Sequence, residues 1–342
     1  MRHVPFIWLA ATLLVTAVWI GAVEERQPTY RSERVLASVP VDGDRPYLGF
    51  PAVIDLGDYV LASFKRGEFH GGGAEANLDL LRLDKRTGEI AWEPTLVSSP
   101  GKSMQMGEWV RYPDGTIANW VDVQRSPGTE RDGMQGVISR DGGRTFGPLV
   151  RFGEVDGMEF GYPFGSAIEG DTIWMIVMSF SHLEGGYSVI EKYPHAGPVC
   201  IIRFDDSGES WSFVRNLTRE FGDIPINESF FVRHQDGFLV VTRGYDQQVR
   251  LHRTDGVFKV QHQTSLTDQH DFIERYVGRP RLFARDDHYY LMGRNWTGST
   301  AQADDATKDR QPRFPKAMKM CLFRVDPETL AVDSFAILDN AE

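Results

Sequence analysis

Cysteine is nearly absent: 342 residues contain two, Cys200 and Cys321. That excludes a scaffold stapled by disulfides. No Cys/His spacing suited to a metal occurs and no cofactor motif is recognisable, so the sequence requires neither metal nor cofactor. Basic tracts are lacking too. The formal net charge is −11, which argues against a nucleic-acid or other polyanionic partner. Sustained helical periodicity is missing, so a helical bundle is excluded. What the chain has instead is 34 Gly, 18 Pro and 12% aromatic residues, a composition of many turns between packed strands.

One apolar run is long. Arg2 and His3 precede Val4–Val23, which ends at Glu24, Glu25 and Arg26. This is the layout of an export signal, and its length also approaches the ~20 residues that span a bilayer. Residues 1–25 are therefore read as a cleaved signal peptide or an uncleaved membrane tether, with export expected either way. Residues 26–342 form the folded domain.

Within that domain an apolar strand closed by Arg recurs five times, at Leu78–Arg82, Gly136–Arg140, Cys200–Arg203, Val249–Arg253 and Cys321–Arg324. Counting from each closing Arg to the next gives separations of 58, 63, 50 and 71 residues. A second hairpin precedes each copy, at Pro51–Phe64, Trp109–Val123, Ser166–Phe180, Phe230–Thr242 and Leu282–Met292. Two hairpins per repeat make four antiparallel strands, the content of one propeller blade. The fold class is all-β, a β-propeller. Cys200 and Cys321 occupy equivalent strands of separate repeats, where buried thiols are expected and a disulfide stays open.

The hairpin Ser139-Arg140-Asp141-Gly142-Gly143-Arg144-Thr145-Phe146 fits Ser-x-Asp-x-Gly-x-Thr-aromatic throughout, and Asp205-Asp206-Ser207-Gly208-Glu209-Ser210-Trp211 fits most of it. Lys85–Trp92 and Asp255–Phe258 look like degraded copies. In these features the chain resembles the sialidase-like, Asp-box (BNR-repeat) superfamily. The resemblance implies a six-bladed propeller whose last blade is incomplete here; a five-repeat variant is the alternative. The Tyr30–Val41 segment resembles an outer strand that would close a final blade.

Asn227-Glu228-Ser229, followed 15 residues later by Arg243, is similar to the sialidase segment whose Glu activates a tyrosine nucleophile and whose Arg helps clamp the substrate carboxylate. An anionic sugar suits this chemistry, because guanidinium groups bind a carboxylate bidentately. The resemblance implies Glu228 as base partner and Arg243 and Arg279 as clamp residues, Arg279 being preferred to Arg281 by its place between Gly278 and Pro280. It also implies Arg66 as an assisting cation. The first repeat departs from the family: Gly49-Phe50-Pro51 stands where Arg-Ile-Pro is expected, and the loop that should carry an acid/base Asp reads Glu68–Asn77 around Gly71-Gly72-Gly73. Glu75 or His70 is the candidate proton donor there. The nucleophile is unplaced, and Tyr162 is read only as a channel-lining residue.

Glu108 opens the second repeat's inner strand, and with Glu228 it would make a carboxylate pair for another sugar. Trp109, Trp120 and Trp296 are candidates for stacking on sugars or for core. Residues 297–315 read as a polar insertion beside the channel. The reading is an exported, exo-acting glycoside hydrolase with a carbohydrate ligand. Its alternatives are a propeller glycosidase using the Glu pair, and a non-catalytic glycan-binding propeller.

Overall fold

Each of the five repeats becomes one four-stranded antiparallel blade, and the blades are arranged as a β-propeller. The computed structural model describes residues 23–26, 43–70, 75–128, 130–204, 210–273, 277–296 and 318–338. The apolar run up to residue 22, the 30–41 stretch, residues 205–209 of the second box, the 71–73 glycines and the 297–315 insertion lie outside the described residues.

Blade I comprises Tyr47–Asp55, Tyr59–Gly67, Asn77–Asp84 and Ile90–Val97. Blade II comprises Lys102–Arg111, Ile117–Arg125, Arg131–Ser139 and Val150–Arg151. Blade III is built from Tyr162–Glu169, Thr172–Phe180, Ala196–Phe204 and Trp211–Asn216. Blade IV is built from Ile226–His234, Gly237–Gly244, Val249–Thr254 and Val260–Ser265. Blade V contains Gly278–Arg285, His288–Trp296, Met318–Asp326 and Ala331–Ile337. Glu24–Glu25 adds to its outer edge in parallel, opposite Ser334 and Phe335.

The burial pattern follows strand position. The second strand of blade III is covered on both faces, and Ile173 to Met178 are all buried and apolar. The outermost strand of blade IV reads Val-Gln-His-Gln-Thr-Ser and leaves its middle residues exposed, which blunts an unpaired edge. Apolar layers fill the spaces between blades I and II, II and III, III and IV, and IV and V.

The outer hairpins share a device. Asp84 accepts the backbone N–H groups of Arg86 and Thr87 (2.8 and 2.7 Å), and Asp141 those of Arg144 and Thr145 (3.0 and 2.9 Å). Asp255 does the same for Val257 and Lys259 (3.0 and 2.8 Å), and Asp326 for Glu328 and Thr329 (2.8 and 3.3 Å). A carboxylate that satisfies two turn donors closes a tight hairpin without help from the rest of the blade.

Cys200 and Cys321 are buried thiols outside any disulfide, each in the third strand of its blade. Trp109 and Trp120 belong to the inter-blade core: Trp109 Nε1 donates to the Ala52 carbonyl (3.1 Å) and Trp120 Nε1 to Tyr112 Oη (3.2 Å).

Candidate functional site

The pairing of every innermost strand with its neighbour slips near the same end. The slips fall between Gly49 and Ala52, Met104 and Gly107, Pro163 and Gly165, Ile226 and Ser229, and Gly278 and Arg281. A bulge re-aims the side chains beside it, so five bulges in a ring turn residues from five blades toward one another. In two of them a non-glycine residue takes left-handed backbone, Phe50 (φ 53°) and Arg279 (φ 47°), each followed by proline. Such backbone costs roughly 1–3 kcal/mol per residue.

Arg279 lies among groups contributed by four blades. The charged and phenolic groups whose fields reach it are Arg281 in its own blade, Tyr162 in blade III, Glu108 in blade II and Glu228 in blade IV. Burial, and then Arg281, lower its pKa. Its two terminal guanidinium nitrogens are buried without a hydrogen-bond partner. Leaving charged donors unsatisfied in a desolvated position costs stability, which suits a site that awaits an anion.

Glu228 is the anion of the constellation. It forms an ion pair with Arg243 and accepts the Arg279 backbone N–H (2.8 Å). Burial pushes its carboxyl up, but Arg243, the Arg279 N–H and Arg294 together outweigh burial and hold it below the ordinary value. Arg294 lies against Gly278, and no hydrogen bond or ion pair engages it among the described residues. Two guanidinium groups and a backbone N–H thus hold one carboxylate ionised in a protein of net charge −11.

Arg281 lies on the same strand but is fully engaged. It donates to the Phe164 carbonyl (2.7 Å) and Glu108 Oε2 (3.1 Å), and it lies 4.5 Å over the Phe230 ring. Glu108 also accepts the Ser166 N–H (3.1 Å). A Cβ added to Gly165 would fall inside the Phe230 ring, so the glycine permits this closure of blades II to V. Glu108 is therefore anchored to Arg281, whereas Glu228 is held by Arg243.

The wall on the blade I side is aromatic. Tyr47 Oη lies 2.8 Å from His70 Nδ1, and the Phe50 and His70 rings are 4.8 Å apart. Burial, Arg294 and Lys65 depress the His70 pKa, Glu228 opposes them, and Arg243 depresses it further, so the ring is neutral at pH 7. Lys65 Nζ donates to Gln105 Oε1 (2.9 Å) and to the His70 carbonyl (3.1 Å), and burial lowers its pKa to about 8 against the pull of Asp122. Arg131 clamps Asp122 through two 3.0 Å bonds and lies 5.5 Å from the Tyr162 ring. Burial, reinforced by Glu228, raises the Tyr162 pKa, so its hydroxyl is a neutral donor. Burial pushes Tyr245 up to about 12; its ring lies 5.2 Å from that of Tyr193.

Glu228, Arg243, Arg279 and His70 therefore come together, with Glu108 linked to them through the field at Arg279. Arg66 does not join them. Strand alternation turns it toward Asp79 (3.7 Å) and the Trp92 ring, and its neighbour Lys65 takes the channel side. Glu75 is exposed and accepts the Gly101 N–H (2.6 Å). Arg294 and Lys65 were not singled out in the sequence. A signal existed for Arg294, which closes the second strand of blade V as Arg243 closes that of blade IV.

No family model and no curated protein matches the sequence. Solved structures do match. A protein of unknown function from Dyadobacter fermentans superposes with TM-score 0.56 at 15% identity, over 84% of this chain and 80% of that one. The K499G mutant of NanB sialidase from Streptococcus pneumoniae gives 0.54 at 10% identity, over 87% and 62%. Trypanosoma rangeli sialidase in complex with sialic acid gives 0.53 at 10% identity, over 89% and 49%. The likeness is one of fold. The chain spans about half to two thirds of the two sialidase chains it matches.

Proposed function

We propose that the protein is an exported, exo-acting glycoside hydrolase related to the sialidases, which binds an anionic sugar through channel arginines. The observation that carries this reading is the pair of guanidinium groups, Arg279 and Arg294, whose terminal nitrogens or side chain find no hydrogen-bond partner among the described residues, beside the Glu228–Arg243 ion pair. A substrate carboxylate supplies the missing acceptors, and a planar guanidinium binds it bidentately. Glu228, held ionised by Arg243, is a proton acceptor rather than a donor. His70, neutral at the edge of the cluster, is better placed for proton transfer than Glu75, which the Gly101 N–H holds elsewhere.

The test is hydrolysis of a fluorogenic sialoside by the full chain. Turnover that Glu228→Gln abolishes supports the reading. Turnover of neutral glycosides alone, or glycan binding without turnover of any substrate, overturns it.

A further inference from the structure

Blades I and V present different side chains from one and the same bulge. Gly49 pairs with Lys65 and Gly278 with Arg294, and in both strands regular pairing resumes three residues on, at Ala52 and Arg281. Phe50 is therefore the blade I counterpart of Arg279. Both residues are left-handed and both precede proline. At this equivalent bulge one blade carries a cation and the other a phenyl ring.

The Phe50 ring is fixed in place. It packs on the apolar cluster that contains Met106 and Tyr162, its centroid lies 4.8 Å from that of the tilted His70 ring, and the side chain stays partly exposed. His70 is held in turn by Tyr47, whose ring folds over Gly49: a Cβ there would lie 2.6 Å from the nearest Tyr47 Cε and 2.7 Å from Cζ. The charge of Arg294 reaches both Tyr47 and His70, so this aromatic wall lies within the field of Arg294. A small carboxylate would satisfy the cations and leave the wall uncovered. A pyranose acid matches both surfaces, with its carboxylate on Arg279 and Arg294 and an apolar C–H face on the phenyl ring.

We propose that Phe50, braced by His70 and Tyr47, is the specificity-determining platform of the site and selects a sugar acid over a simple carboxylate. This rests on the anion-binding reading above. The test compares binding of N-acetylneuraminate, glucuronate and acetate to the full chain by calorimetry, in wild type, Phe50→Gly, Phe50→Tyr and Arg279→Met. Phe50→Gly removes the ring and relieves the left-handed backbone but also loses packing on the apolar cluster, so thermal melts of each variant, with Phe50→Tyr keeping the packing, separate loss of folding from loss of binding.

The expected result is that at least one sugar acid binds about tenfold or more tighter than acetate to wild type. Phe50→Gly brings the two to within about threefold while acetate affinity holds, and Phe50→Tyr restores the preference. A preference that survives in Phe50→Gly, or no preference in wild type, overturns this inference alone, provided Arg279→Met weakens all three anions. If none of the three binds, the anion reading falls with it.

Discussion

The backbone N–H of Arg279 donates to Glu228 Oε2 at 2.8 Å, while the terminal guanidinium nitrogens of the same residue find no acceptor. The Glu228 carboxylate is thus spent on Arg243 and on main chain. An arginine in left-handed backbone, with its terminal guanidinium nitrogens buried and unpaired, lowers stability by itself.

Arg279→Met should therefore separate stability from binding. Removing unsatisfied buried donors while keeping most of the volume should stabilise the fold by about 1 kcal/mol. Urea denaturation should show the higher midpoint, and calorimetry should show loss of anion binding by the same variant.

Glu228→Gln should act in the opposite direction. It strips the largely buried Arg243 of its carboxylate, which should cost roughly 2–3 kcal/mol. The double variant Glu228→Gln/Arg243→Met should recover at least half of that loss. Additive losses in a double-mutant cycle would count against a coupled pair.

Gly49→Ala drives a methyl group into the hydroxyl end of the Tyr47 ring, so the hydroxyl must move off His70. Turnover and sugar-acid binding should fall tenfold or more, with the His70 imidazole resonances shifted in NMR spectra. Arg279 should keep its place, because the change lies on blade I, so acetate binding should persist.

His252 gives the fold an acid limit. It stacks on Phe221 (3.7 Å) and contacts Thr242 Oγ1 and Gln263 Oε1 (2.9 and 3.1 Å); burial, against the Gln263 contact, pulls its pKa down to about 3. The unfolded chain titrates near ~6.5 and so binds the extra proton first. The contribution is fully present above about pH 6.5 and is lost as pH falls toward 3. Between those limits the site adds roughly 1.4 kcal/mol per pH unit to the slope of stability against pH. His252→Asn should reduce that slope by this amount in urea titrations between pH 6 and 4.

The blades were legible in the sequence because they are local. Alternating apolar strands, turns such as Asp236-Gly237 and Asp286-Asp287, and outer hairpins closed by their own Asp each need only a few consecutive residues. Glu228 and Arg243 were legible for a related reason: they lie across one hairpin of one blade, and the spacing of 15 residues fixes their approach. Trp109 and Trp120 remained ambiguous between core and sugar platform, since an aromatic strand residue fits either until its neighbour blade is in place.

The channel itself depended on the closure of blades far apart in the chain. That closure chose Lys65 over Arg66 through strand alternation, brought Arg294 to Glu228, and occupied Arg281 with Glu108 and Phe164 while leaving Arg279 free. Residue types and hairpin spacing specify a strand and the turn that ends it, and so the sequence by itself determined five blades and one Glu–Arg pair. Which cations remain without an acceptor depends on partners contributed by other blades. Only the tertiary structure decided that, because bulge geometry and inter-blade packing set where each long side chain can reach.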